Sequence, residues 1–302
     1  MESTSDPWRD LGGFLRSRRG ALDPETFGLP RGPSRRRVPG LRREELAQLA
    51  GVSVDYYTRL EQGRARNVSD SVLDALSSAL RLNADEDTYL RNLAAPKRRK
   101  PRARKPDRVS PRLRWLLDSM PGVPAMVLNR RCDVLAWNPL CAAIAFDFAT
   151  IPPAERNIPR LFFLDEDDSR ALHPEWDKVV KELVGNLRAA AGHDPTDPEL
   201  ASLVGELSLR SETFRKLWAA QSVQEKTEGI KHIRNPVVGD LLLHYQTLHV
   251  AAASSASSEA TQGLVVYTAE PGSETERNLG LLASWVAGTE RTARHLDASS
   301  VR

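Results

Sequence analysis

A short stretch of the sequence, LAGVSVDYYTRLEQG at residues 49 to 63, carries polar and basic side chains after a glycine. Arg59 has a planar guanidinium that can pair with the edge of a guanine or with phosphate oxygens. Tyr56 can stack on a sugar or donate its hydroxyl to a phosphate. Side chains of these types at the start of one helix could read double-stranded DNA, because a helix fits its major groove.

The apolar positions around this glycine have the spacing of a helix-turn-helix. Ala47 is small enough for a second helix to cross it closely, and Gly51 can adopt the backbone of the turn at little steric cost. Ser53 is placed to accept a backbone N–H at the start of the second helix. A plain helical hairpin would explain the apolar positions but not the exposed polar groups and the basic exit that follow. We therefore predict that the second helix enters the major groove.

The candidate DNA contacts lie at the start of the first of the two helices, on the exposed part of the second, and just after it. They are Arg42, Arg43, Val54, Asp55, Tyr56, Thr58, Arg59, Arg64 and Arg66. Arg59 is the first choice for a base or phosphate contact, and its alternative is a salt bridge to Asp55 one turn back. Asp55 can accept from a cytosine amine or simply cap the helix, and the second role is preferred.

The two adjacent tyrosines are separated by the helical period. Tyr57 falls on the buried stripe with Leu60, and Tyr56 points about 100° away, towards the groove. A buried Tyr57 hydroxyl must find a hydrogen-bond partner or reach water. We therefore predict a packing role for Tyr57 and a DNA contact for Tyr56.

The charge of the chain is distributed unevenly. The net charge is +3 over 302 residues, yet residues 1–110 hold 23 basic against 15 acidic residues. The remaining residues hold 20 basic and 25 acidic ones. A basic front part and an acidic back part indicate two domains with different partners. The basic part could meet nucleic acid or an anionic membrane surface, and the helix-turn-helix spacing favours DNA over RNA, whose deep, narrow groove excludes a helix.

The front part is predicted as an all-α domain of five short helices over residues 8–94. A basic loop, SRRR at residues 34–37, is either solvated or a further DNA contact. A proline-rich, basic linker follows at residues 95–110, because such a composition cannot bury a core and its like charges repel. The linker is a spacer whose lysines and arginines could also touch phosphates.

The back part is predicted as an α+β domain over residues 111–290, followed by a tail at 291–302. Strand-like runs occupy 125–128, 132–137, 231–234, 241–250 and 264–268, with helices between the second and third of them. The last helix is expected near 274–287. This order predicts an antiparallel sheet with a block of helices inserted between its strands.

These segments together resemble a known family. LRREELAQLAGVSVDYYTRLEQGR resembles the helix-turn-helix of the Cro/cI (XRE) repressors, which often carry Gln where Arg43 stands, so the resemblance favours a phosphate contact there. With PRLRWLLDSMPGVPAMVLNRRCDVLAWNPL, NPVVGDLLLHYQTL and LVVYTAEPGS, the chain resembles the MmyB-like transcriptional regulators over roughly residues 8 to 287. The resemblance implies an N-terminal DNA-binding domain and a C-terminal PAS-like domain that binds a small, fatty-acid-like molecule.

The expected pocket of the PAS-like domain is lined by aromatic side chains. Its candidates are Trp137, Phe146, Phe162, Trp176, Phe214, Trp218 and Tyr245, each of which could instead be ordinary core. The expected protein is a homodimeric, cytoplasmic transcription regulator that is not an enzyme and needs no metal or cofactor. Two alternatives stay open: the back domain only dimerises or binds a protein partner, or it carries an enzymatic activity tethered to DNA.

Three further features exclude other classes of protein. No run of apolar residues is long enough for a membrane span, so no membrane partner is expected. The two cysteines, Cys132 and Cys141, have no metal-ligand spacing and are expected to be free and buried. The acidic run DEDD at residues 165–168 is interpreted as a solvated loop that caps the following segment, rather than as a cation site.

Overall fold

The structure is a computed structural model that describes residues 6–29, 40–65, 67–94, 107–250 and 262–300. The predicted basic loop at 34–37, Arg66 and most of the predicted linker lie outside these residues. Contacts divide the chain into two compact units, and the units are not continuous in sequence. The first unites Met1–Arg102 with Val184–Glu225, and the second unites Ala103–Leu183 with Lys226–Arg302.

The first unit contains the predicted five-helix bundle. Its helices are α1 (Pro7–Ala21), α2 (Arg43–Leu49), α3 (Val54–Glu61), α4 (Asp70–Leu80) and α5 (Ala84–Ala94). Their apolar faces form one core, with side chains such as Phe14, Leu46, Tyr57, Leu76 and Leu90 fully buried. The second helix of the pair, α3, crosses α1 closely at Gly12, where a Cβ would lie 2.4 Å from the Glu61 carbonyl oxygen. The backbone of α3 is thereby held against α1.

Three further α-helical segments belong to the described part of the first unit. They are the second half of α10 (Trp176–His193), α11 (Pro198–Arg210) and α12 (Glu212–Ala219). Asp197 and Ser211 cap the last two, Asp197 accepting from two backbone N–H groups of its helix and Ser211 from one. The predicted helices in this region are confirmed.

The second unit is built on a five-stranded antiparallel sheet, as predicted. Its strands lie in the order β2-β1-β5-β4-β3, with β1 at Ala125–Leu128, β2 at Val134–Trp137, β3 at Glu228–Asn235, β4 at Gly239–Val250 and β5 at Gln262–Thr268. The helix α6 (Pro111–Asp118) packs Leu113 and Leu117 against β1 and β5. The helices α7 (Pro139–Ile144) and α13 (Glu274–Ser300) pack against β3 and β4. The α+β class predicted for this part is confirmed.

Two details differ from the prediction. The last helix, α13, does not end near residue 287 but continues through Ser300, so residues 291–300 of the expected tail are helical. The acidic run at 165–168 is not a loop, because Glu166, Asp167 and Asp168 form the first turn of α9 (Glu166–Leu172). Carboxylates are favourable at a helix N-terminus, since they face the positive end of the helix dipole. The short α8 (Ile158–Phe163) precedes it.

Candidate DNA-binding surface and ligand site

The turn between α2 and α3 has the predicted backbone. Gly51 adopts a φ of 64°, in the left-handed region that favours glycine. The Val52 N–H donates to the Ala47 carbonyl at 3.0 Å. Ser53 caps α3, and its hydroxyl accepts from the Tyr56 N–H at 3.2 Å. These contacts fix the angle between α2 and α3.

The predicted DNA contacts lie on one connected part of the chain and remain accessible. Arg42, Val54, Asp55, Arg59 and Arg64 are exposed, and Arg43, Tyr56 and Thr58 are half-buried. Only Arg66 of this set lies outside the described residues. The structure therefore presents both arginines at the start of α2 and the polar residues of α3 to solvent.

The side chain of Arg59 is exposed on α3. Asp55, the acid named as the alternative partner of Arg59, makes no hydrogen bond or salt bridge with it, and both side chains are described. Asp55 lies in the first turn of α3, where it faces the helix dipole, while Ser53 makes the capping hydrogen bond. Tyr56 packs partly against the apolar core of the bundle, which restrains its ring.

A buried ion network lies beneath α3. Glu61, with 2% of its surface exposed, ends this helix, and both of its carboxylate oxygens are bonded. Arg19 of α1 donates from Nε to Oε1 at 2.6 Å and from Nη2 to Oε2 at 3.3 Å. Arg43 of α2 donates from Nε to Oε2 at 2.7 Å. One carboxylate thereby ties α1, α2 and α3 together, and one face of Arg43 is engaged before any DNA is bound.

The Tyr57 hydroxyl does not meet the expectation drawn from the sequence. The ring is fully buried, as predicted, but the hydroxyl has no hydrogen-bond partner among the described residues and does not reach water. Burial, together with the charge of Glu61, raises the pKa of this phenol. The hydroxyl therefore remains neutral beside the network.

We predict that this network loses its stabilising effect in acid. Burial opposes ionisation of Glu61, but hydrogen bonds from Arg19 and Arg43 outweigh it and hold the pKa of this carboxyl below its ordinary value of 4.5. A group with a lowered folded pKa stabilises the fold above its unfolded pKa and ceases to do so as pH falls through the folded value. In urea titrations, the free energy of unfolding of the first unit should fall as the pH drops below 4.5. Glu61→Gln should flatten this dependence; an unchanged pH profile in that variant would contradict the assignment.

The second unit gathers three of the predicted pocket residues into a row. Trp137 lies 5.4 Å from Phe148, measured between ring centroids, and Phe148 lies 6.3 Å from Phe146. Phe146 is 5.9 Å from Phe162, and both rings contact His173. Trp137 and Phe146 keep part of their surface accessible. The row thus offers apolar ring surface beside the sheet.

A charged cluster lies close to the His173 end of this row. Glu182 of α10 accepts from the Lys226 and Lys231 ammonium groups, each at 2.5 Å, so two cations share one carboxylate. The Lys231 Nζ lies 5.0 Å from the ring centroid of Tyr245, another predicted pocket residue. Burial, and to a smaller extent the charge of Lys231, lowers the pKa of His173 to about 4, so this imidazole is neutral at pH 7. The three charged side chains therefore carry one excess positive charge.

The three remaining predicted pocket residues are not part of this row of rings. Trp176 is buried next to Phe163 and donates from its indole N–H to the Ser169 hydroxyl at 2.8 Å. Phe214 and Trp218 belong to the first unit, where their rings stack at 5.7 Å. Lys231, Glu182 and His173 were not among the residues predicted for the pocket, because nothing in the local sequence distinguishes a buried polar side chain from an exposed one.

Neither cysteine offers reactive chemistry. Cys132 and Cys141 are free and buried, as predicted, and burial raises the pKa of each thiol to about 12. Among the described residues no group of three or more His, Cys, Asp or Glu side chains could hold a metal ion. Nor does any helix in this part of the chain have the length and apolar character needed to cross a bilayer.

Comparison with known proteins gives two matches. Residues 109–282 match the ligand binding domain of MmyB-like transcription regulators. Residues 10–88 match a helix-turn-helix domain. No curated protein matches the chain. Both families are of the regulator type, and neither match points to an enzyme.

Proposed function

Because the chain belongs to the MmyB-like transcription regulators, we propose that it binds a specific DNA site through α3 under the control of a small, fatty-acid-like molecule. The observation that carries the DNA-binding part is the exposed polar face of α3, held by the Ser53 cap and by the buried Glu61 network. An arginine in the second helix of a helix-turn-helix, without a competing salt bridge, is suited to reading bases.

A homodimer is the proposed DNA-binding form. Two copies related by a two-fold axis would place two α3 helices in successive major grooves, with half-sites roughly 34 Å apart. The decisive experiment is selection of binding sites from genomic fragments with the full-length protein, followed by footprinting. A symmetric site with two protected half-sites supports the proposal. A single asymmetric footprint from a monomer would refute the dimer, and failure to enrich any sequence would refute specific DNA binding.

The proposed ligand is an amphiphile with an apolar chain and an anionic head. The row of Trp137, Phe146 and Phe162 suits the chain, because apolar and aromatic surface favours burial of hydrocarbon. The excess positive charge at Lys231 suits a carboxylate, since a desolvated ammonium gains from a second anion. The neutral His173 contacts the rings of Phe146 and Phe162 and is influenced by the charge of Lys231, so it adds a hydrogen-bonding group beside the apolar rings.

We predict that Lys231→Met weakens binding of palmitate, taken as a representative fatty acid. Loss of a charged hydrogen bond costs about 1.5–3 kcal/mol, or on the order of tenfold to a hundredfold in affinity. Binding of the matching alcohol, which has no charge, should change little. Isothermal titration of both probes into the full-length protein measures the difference.

Lys181→Met is the matched control, because Lys181 is an exposed lysine of α10 and directly precedes Glu182, the partner of Lys231. Its palmitate affinity should equal that of the unaltered protein. Equal losses for palmitate and the alcohol in Lys231→Met would contradict the anionic head group. Absence of any binding or thermal shift across a lipid panel would instead favour a back domain that only dimerises or binds a protein partner.

A further inference from the structure

One segment of the matched ligand-binding domain packs with the DNA-binding bundle. Val184–Glu225 lies inside the residues that match this domain, yet its contacts place it in the first compact unit. Helix α10 runs without a break from Trp176 to His193, so Leu183 of the second unit and Val184 of the first are consecutive in one helix. The segment is thus covalently part of one domain and packed as part of the other.

The apolar part of this contact is closely fitted. Ala189 of α10 and Val223 join the core of the bundle together with Tyr89 of α5. At Gly192 a Cβ would lie 2.2 Å from the Tyr89 ring, so only glycine fits without a shift of that ring. The Tyr89 ring in turn contacts Phe14 of α1 edge-on at 5.1 Å. This degree of fit is that of a protein core, in which packing changes discontinuously rather than gradually.

The polar part is organised by one buried arginine. Arg188 has 2% of its surface exposed, and its guanidinium lies 3.7 Å from the ring centroid of Trp218. It donates from Nη1 to the Gln221 side chain at 2.7 Å and from Nη2 to the Trp218 carbonyl. The loop that it holds meets α1, where the Ser17 hydroxyl donates to the Ala220 carbonyl at 2.9 Å.

On α1, a residue that contacts this loop is next in sequence to the residue that binds Glu61 in the ion network beneath α3. Arg18 donates from Nη2 to the Gln221 carbonyl at 3.1 Å. The next residue, Arg19, holds the Glu61 carboxylate at the end of α3. A shift of the loop at Ala220–Gln221 therefore acts on the same helix that fixes the DNA-recognition helix.

The contact also contains buried hydrogen-bond donors that have no partner among the described residues. Three buried side-chain nitrogen or oxygen atoms in the described residues have no hydrogen-bond partner, and two of them are Nε of Arg18 and Nε of Arg188. A buried donor without a partner destabilises the arrangement that contains it. The contact therefore contains two buried donors that oppose its own stability.

We propose that Val184–Glu225 is the element that couples the state of the ligand-binding domain to DNA affinity, with Arg188 as its positioning residue. The proposal rests on DNA binding by α3 but not on the identity of the ligand. Coupling is reciprocal, so DNA binding must also act back on α10. The reciprocal effect can be measured with DNA as the only probe.

The test is hydrogen exchange of the full-length protein with and without a saturating amount of its selected DNA site. The backbone amides of Trp176–Leu183, in the first half of α10, should change their exchange rate on the order of fivefold or more, the lower end of typical couplings. Arg188→Met should still bind DNA but lose this change. Arg210→Met is the matched control, because Arg210 is an exposed arginine of α11 paired with Glu206; it should keep the change.

Gly192→Ala provides a second variant that disturbs the contact from its apolar side and removes no charge. It should also reduce the change, and it decides the question should Arg188→Met not fold. An unaltered exchange rate in the native protein at saturating DNA would overturn the coupling. So would an equal change in the native protein and in the folded variants. Failure to bind any DNA would instead refute the proposed function itself.

Discussion

Replacing Glu61 by alanine is expected to lower the free energy of unfolding of the first unit by about 3–5 kcal/mol. The carboxylate is buried and accepts from Arg19 and Arg43. Its removal leaves the guanidinium of Arg19, with 6% of the residue exposed, without its counter-charge. A buried unpaired charge costs far more than the net contribution of the original pair, because its hydration is not replaced. Urea unfolding of the full-length protein, with hydrogen exchange to identify the unit that opens, measures the loss.

The control is Glu44→Ala, which removes an exposed glutamate from α2 in the same bundle. Surface substitutions of this kind change stability by about 0.5 kcal/mol or less. The double variant with leucine at both Arg19 and Glu61 should be more stable than Glu61→Ala, since it removes both buried charges together. A loss for Glu61→Ala no larger than that of the control would show that the network does not hold α3.

The helix-turn-helix was predictable because its determinants are local. Ala47, Gly51 and Ser53 lie within seven positions of one another, and each has a backbone role that only a few residue types fill. The sheet of the second unit was predictable for the same reason, since alternation and turns mark its strands. The end of α13 was not predictable, because the sequence after residue 287 has too few apolar residues to show a helical period.

The network beneath α3 illustrates what sequence alone does not provide. Glu61 pairs with Arg43 across 18 positions and with Arg19 across 42. In the sequence all three look like ordinary surface charges, and charged residues are rarely buried unless paired. Arg43 was assigned to phosphate from its place at the start of α2, and nothing local indicated that its Nε is bonded to Glu61. Its remaining exposure leaves a phosphate contact as a prediction.

The ligand site was only partly predictable, because aromatic composition does not distinguish a pocket from a core. Phe214 and Trp218 were grouped with Trp137 from composition, yet they pack in the first unit. Within the residues that match one family, the chain passes from the second unit to the first and back again. No local sequence pattern marks these two changes of unit. Lys231 was not predicted as a pocket residue, because a lone lysine in a strand resembles an exposed residue of an edge strand.

Arg59→Ala is expected to weaken binding to the selected DNA site by about 1–3 kcal/mol, or on the order of tenfold to a hundredfold. The side chain is exposed on α3 and makes no salt bridge with Asp55. No folded-state interaction with Asp55 is lost, so the effect should appear in DNA affinity and not in stability. Mobility-shift titration with the native site and with each single-base variant measures both affinity and base preference. Arg91→Ala is the control, because Arg91 lies on α5 and is already paired with Asp74 and Asp87.

Salt dependence separates the two roles that Arg59 can play. If Arg59 contacts a guanine, Arg59→Ala loses affinity only for DNA that carries that base pair. DNA sites with any base pair at that position then bind Arg59→Ala equally well. A guanidinium on a phosphate gives the same loss at every sequence, and the slope of log affinity against log salt falls by about one. The exposed position of Arg59 on α3, the helix that we propose to enter the groove, favours the first outcome, since Arg42 and Arg64 at the edges of the motif reach phosphates more readily. Unchanged affinity, base preference and salt slope would show that α3 does not read DNA through Arg59.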